Sequence, residues 1–145
     1  MVLLRRILLK PSILLLLYSS NVIGANWAYV VSADTLKVWV DTDSLRSSGT
    51  RVKAWAKWVY SQPVLIAASD PKLYFRSMMS LSIYQCDDRT GAEIQVLTYS
   101  DADATESIRT RTYPDIPSRY QDVVPESVGE KVHLFVCKAS AASRK

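Results

Sequence analysis

Residues 51–60 read RVKAWAKWVY, and in steps of two they separate into two faces. Val52, Ala54, Ala56, Trp58 and Tyr60 form an apolar face, and Arg51, Lys53, Trp55, Lys57 and Val59 form the other. Successive side chains of a β-strand point to opposite sides of the sheet, so this alternation specifies a half-buried strand. The apolar face belongs to a core. The other face places a tryptophan between two lysines where water is expected, and that pairing raises the question of recognition.

The neighbouring segments extend the same pattern. Residues 27–32 (WAYVVS) form a short aromatic and β-branched run, and Leu36, Val38 and Val40 alternate with Lys37, Trp39 and Asp41. Turn formers fill DTDSLRSSGT before the opening stretch. Pro63 and Pro71 lack the amide hydrogen a sheet ladder needs, so SQPVLIAASDPK reads as a loop. Strands are expected from Leu73 to Cys86, Ala92 to Tyr99 and Ser107 to Tyr113, separated by the turns DDRTG and SDADATE. Successive strands at hairpin spacing predict an antiparallel meander of six strands in an α+β fold. The period then changes. Val128, Val132, Phe135 and Val136 recur at helical spacing, and Ser127 with Glu130 forms an S-x-x-E capping box, which predicts a C-terminal helix packed on the sheet. Gly129 weakens that helix, and an extended form of KVHLFVC is the alternative.

The 145-residue length suits one domain. Residues 1–25 have a basic start (Arg5, Arg6, Lys10), an apolar run from Ile13 to Tyr18 and small residues at Gly24 and Ala25, the layout of a secretory signal peptide. The run is shorter than the roughly 20 residues of a membrane span, and an uncleaved signal anchor is the alternative. The expected organisation is therefore a signal at 1–25, a domain at 26–139 and a disordered polar tail at 140–145. The signal holds three of the 18 basic residues and none of the 14 acidic ones, so its removal takes the net charge from +4 to +1. A nearly neutral domain is poorly suited to nucleic acid, where affinity rests on neutralising phosphates. Two cysteines remain, Cys86 and Cys137; in an exported chain an even count favours a disulfide, with free thiols or a metal pair as alternatives.

Chemistry-bearing motifs are sparse. His133 is the sole histidine, and its helical position predicts an exposed structural residue rather than the base of a triad. Asp101, Asp103, Thr105 and Glu106 superficially resemble a calcium loop but lack its glycine and distal glutamate, and Asp41 with Asp43 invites the same comparison and the same reading as a solvated turn. Two cysteines and one histidine are too few for a closed zinc site. No metal, cofactor or catalytic group is expected. The Lys53–Trp55–Lys57 face has three readings: ordinary surface with lysine stems over the indole, a sheet face covered by the helix or a second chain, or a binding surface. Trp39 shares the non-core phase of its strand, so pairing of the two strands would place both indoles on one face.

Trp27, the run VWVDTDSLRSSGTRVKAWAKW, the strand ending in Cys86 and the closing YQDVVPESVGEKVHLFVCK together resemble the surface-adhesin protein E family of Gram-negative bacteria, over about Trp27 to Lys138. The resemblance implies a six-stranded antiparallel sheet with a C-terminal helix, tied by a Cys86–Cys137 disulfide. It also implies a non-enzymatic domain that binds host matrix or serum proteins such as vitronectin and laminin, with homodimerisation as a further possibility. This chain departs from the pattern in showing no lipobox cysteine, so periplasm and outer-membrane surface are both expected locations. A soluble periplasmic structural or assembly protein is the alternative. Lys53, Trp55, Lys57 and Trp39 are the candidate ligand-binding residues.

Overall fold

A computed structural model describes residues 24–143. The segment read as a signal peptide lies, through residue 23, outside the described residues. The elements are β1 (Trp27–Ala33), β2 (Leu36–Asp41), β3 (Arg46–Ser48), β4 (Arg51–Leu65), β5 (Tyr74–Gln85), β6 (Thr90–Tyr99), β7 (Ser107–Thr112), β8 (Gln121–Asp122) and α1 (Val128–Ala142). They form one antiparallel sheet in the order β1-β2-β4-β5-β6-β7, with β3 added to β4 and β8 to β6. The meander is as expected, but the sheet has eight strands rather than six. The two extra strands are three and two residues long, and they exist because longer neighbours offer them unpaired backbone.

The join between β2 and β3 shows how the VDTDSL run builds the sheet. Asp41 is buried, and its carboxylate accepts the amides of Asn26 (2.9 Å) and Asp43 (3.1 Å), capping the 3₁₀ turn Thr42–Ser44. That turn carries the chain from β2, which pairs with β4 residues 56–60, to β3, which pairs with residues 51–53. Trp55 falls in the gap between the two pairings. Ser44 Oγ closes it by accepting the Trp55 amide at 2.9 Å while donating to the Asp41 carbonyl at 2.6 Å. A part-buried amide left unpaired here would be costly, so the serine is part of the sheet.

Strand β4 runs on into the first five residues of the segment read as a loop, 61–65, while the rest of that segment, with Pro71, is irregular as expected. Pro63 is accommodated because the β4–β5 register shifts between Val59 and Val64, so the ladder does not need its missing amide hydrogen.

The core lies under α1. Val38, Val40, Val52, Ala54 and Ala56 on the sheet meet Val132 and Val136 on the helix, all at 0–1% exposure. At the centre of this face the cross-strand partners are small: Ala54 opposes Ser82 and Ala56 opposes Ser80. Without bulk there, the helix backbone can approach the sheet closely. Ser127 caps α1 by accepting the Glu130 amide at 3.1 Å. The capping box is only half formed as read: Glu130 reaches back to the amide of Glu126 (2.7 Å), not of Ser127, and also pairs with Arg89. Cys86 and Cys137 form a disulfide that ties the end of β5 to α1. The helix continues to Ala142, which corrects the first three residues of the disordered tail read at 140–145; residues 144 and 145 lie outside the described residues. Ser140 is fully buried and its hydroxyl meets that of Ser47 on β3. No helix among the described residues is long and apolar enough to cross a membrane.

Candidate binding surfaces

The sheet has a second face, opposite α1. Direct cross-strand partners share a face, and one row of them runs Tyr29, Trp39, Lys57, Met79, Leu97, Thr110 across five strand pairs. The next row includes Trp55 and Leu81. The β1 end of this band is aromatic and interlocked. Tyr29 meets Trp39 edge-on with centroids 5.8 Å apart. The Lys57 ammonium lies 4.9 Å from the Trp27 ring centre and 5.6 Å from that of Trp39. A cation between two indoles is held by the ring quadrupoles, while its aliphatic stem covers apolar surface. Tyr29 is 55% exposed, and Trp27, Trp39, Trp55 and Lys57 are half-buried.

The four sequence-read residues therefore divide. Trp39, Trp55 and Lys57 share the face. Lys53 also points to that side but sits four positions along β4, about 13 Å from Lys57 at strand rise. There it lines a separate groove with Arg46 and Arg51. Trp27 and Tyr29 complete the aromatic end. Their alternating phase was the available signal, but the β1 register shifts between Tyr29 and Val31, so strict alternation along β1 misplaces one half of it.

The helix-side face is covered over β1, β2, β4 and part of β5 only. Beyond α1 the sheet floor continues as a cleft in two lobes that share Glu93. One lobe, about 300 Å³, is lined by Trp58, Arg119 and Val132. The other, about 360 Å³, is lined by Ile66, Phe75, Val96, Arg109, Arg111 and Tyr113. Glu93 opens to solvent, yet its apolar surroundings push its carboxyl pKa up against the opposing pull of Arg119. The Arg119 guanidinium stacks 4.1 Å from the Tyr113 ring centre. Arg119 Nε and Arg109 Nη1 are buried donors without an acceptor among the described residues. No single run of sequence carries this cleft, because β6, β7, the 113–119 segment, α1 and the β4–β5 hairpin each contribute part of it.

The acidic turns are closed on themselves. Asp101 accepts the amide of Glu106, then the hydroxyl and amide of Thr105, and those bonds bring its pKa down to about 2. His133 corrects the sequence reading: it is 2% exposed, edge-on to Tyr84 at 5.7 Å. Neither ring nitrogen has a partner among the described residues, and burial, then Arg89, lowers its pKa. It lies beside Cys86 and Cys137, whose sulfurs are joined to each other.

A family model described as "Surface-adhesin protein E" matches residues 27–138. Among solved structures, crystal form II of Haemophilus influenzae protein E is similar, with a TM-score of 0.58 and 13% identity over 82% of this chain and 92% of that one. A second structure of Haemophilus influenzae protein E gives 0.56 and 13% over 83% and 89%. Protein E from non-typeable Haemophilus influenzae gives 0.51 and 14% over 80% and 87%. At such identities the likeness shows the fold. No curated protein matches.

Proposed function

Because the chain belongs to the surface-adhesin protein E family, we propose that it is an exported, non-enzymatic domain that binds a protein partner through the aromatic sheet face. The observation that carries this reading is the Lys57 ammonium held between Trp27 and Trp39, on a face that α1 does not cover. Recognition surfaces concentrate their energy in aromatic and basic anchors set among apolar neighbours. Here Met79, Leu81 and Leu97 supply those neighbours. The lysine is already ordered against the rings, so little side-chain entropy is lost when a partner docks. The family suggests host matrix or serum proteins, such as vitronectin or laminin, as partner class.

The test is binding of the oxidised domain, residues 26–145, to immobilised vitronectin and laminin at physiological salt. Saturable binding that falls at least tenfold in Trp39→Ala/Lys57→Ala supports the reading, since paired anchors of this kind carry about 2 kcal/mol or more. Binding of equal strength in the variant would overturn the assignment of the face.

A second reading is favoured by the apolar half of the same band. Met79, Leu81 and Leu97 suit a permanent contact better than a transient one, either with a second copy or with an envelope protein. A periplasmic structural or assembly role would then replace adhesion. Cell fractionation together with light scattering separates the two: surface exposure of a monomer supports adhesion, and a periplasmic dimer or complex supports the second reading.

A further inference from the structure

The β7 edge and the arginine cleft beside it make a site separate from the aromatic face. Strand β7 ends the sheet, pairing with β6 alone among the described residues. A terminal strand presents unpaired backbone N–H and C=O groups, a template for one more strand. Arg109 and Arg111 lie two residues apart on β7, so both side chains point to the cleft side, where they line the lobe that also holds Glu93. Neither has an acidic partner among the described residues. Glu93 is the one carboxylate lining the cleft, against three arginines, so the site carries excess positive charge.

Arginines on an edge strand also discourage sheet-to-sheet aggregation, and for that purpose they would extend into water. Arg111 is exposed and fits that purpose, but Arg109 does not fit it alone. Arg109 Nη1 is buried without an acceptor, as is Arg119 Nε. A buried donor left unpaired calls for an explanation, and an absent anionic acceptor is one. Around these donors stand Val64, Ile66, Phe75 and Tyr113, an apolar wall beside the charge.

We propose that this cleft captures an extended acidic peptide segment, which pairs with β7 as an added strand and sets carboxylates at alternate positions against Arg109 and Arg111. The period follows from the strand geometry: only side chains two residues apart on the added strand fall on the cleft side. A carboxylate can take the planar arginine fork in two parallel hydrogen bonds, and both arginines offer it. An apolar side chain adjoining the acidic pair would fill the Ile66–Phe75 lobe. The site is distinct from the aromatic face, so it stands whether or not that face binds matrix proteins.

Fluorescence anisotropy on the purified, oxidised protein tests this with three labelled nine-residue peptides. One carries glutamates at alternate positions between valines. The second has the same composition with the glutamates in one block. The third replaces glutamate by lysine. The expected result is saturable binding of the alternating peptide, at least tenfold weaker for the blocked isomer and absent for the lysine peptide. Arg109→Ala/Arg111→Ala should lose at least tenfold, Arg109→Lys/Arg111→Lys should lose part of that, and Trp39→Ala/Lys57→Ala should change nothing. Circular dichroism of each variant establishes that it is folded. Equal binding of the two acidic isomers, or of a sulfated glycan, would make this a general polyanion patch and overturn the proposal. So would unchanged affinity in the folded Arg109→Ala/Arg111→Ala variant, or no saturable binding of the alternating peptide.

Discussion

At the scale of single residues, His133 is the position where local chemistry and fold disagree most. A buried imidazole has two polar nitrogens, and here neither finds a partner among the described residues. Replacing such a group by an apolar one of similar shape is neutral or stabilising. His133→Phe should therefore raise stability by about 1 kcal/mol near neutral pH, measured by urea denaturation. The pH dependence has a definite sign. Burial lowers the folded pKa below the ordinary 6.5, so the unfolded chain binds the proton more readily. Stability is then highest above pH 6.5 and falls as the pH drops below it. The Phe variant should lose that part of the slope, so its advantage over the parent should grow between pH 7.5 and pH 5. A variant less stable than the parent at both pH values would mean that His133 has a partner. The sequence placed this residue on an exposed face because a helix sets it beside Gly129 and Glu130. What decides its burial is Tyr84, which lies 49 positions earlier in the chain.

At the scale of elements, the helix–sheet contact is set by small residues. Ala54, Ala56, Ser80 and Ser82 make the floor on which Val132 and Val136 rest. Ala56 is fully buried and sits between β2 and β5, opposite Val40 and Ser80. Ala56→Leu should push α1 away from the sheet and cost about 1–3 kcal/mol, read as a lower urea midpoint with an unchanged slope. A neutral effect would show that the layer can yield. Most elements were legible in the sequence because their hydrophobic period is regular over long runs. Strands β4, β5 and β6 and the start of α1 are of this kind. The failures share one physical cause, which is that long-range partners outvote local composition. β3 looks like a turn until β4 offers it a ladder, and β4 passes Pro63 at a register shift. α1 extends through a serine- and alanine-rich stretch because Ser140 finds Ser47 on β3.

At the scale of the whole molecule, one sheet presents two chemically different surfaces. The aromatic face was half legible, since period-two reading put Trp39, Trp55 and Lys57 together. It overplaced Lys53, because strand phase fixes the side of the sheet but not the distance along it. The arginine cleft was not legible at all, because its walls come from five separate parts of the chain. The two surfaces differ in how they should respond to salt. Ions screen exposed charge pairs over about 8 Å at physiological strength, while the indole contacts depend mainly on buried apolar area. Raising the salt from about 0.05 M to 0.5 M should therefore weaken the acidic peptide strongly and a matrix protein on the aromatic face only slightly. The surfaces also lie on opposite sides of the sheet with no shared side chain. Their effects should add: the quadruple variant Trp39→Ala/Lys57→Ala/Arg109→Ala/Arg111→Ala should lose each ligand to the extent its own pair of substitutions loses it, within about 0.5 kcal/mol. Larger coupling would require the sheet itself to transmit between its faces. In that case occupancy of one surface would alter affinity at the other by the same factor in both directions. Titrating the peptide in the presence of saturating matrix protein measures that factor directly, and a value near one is the expected outcome.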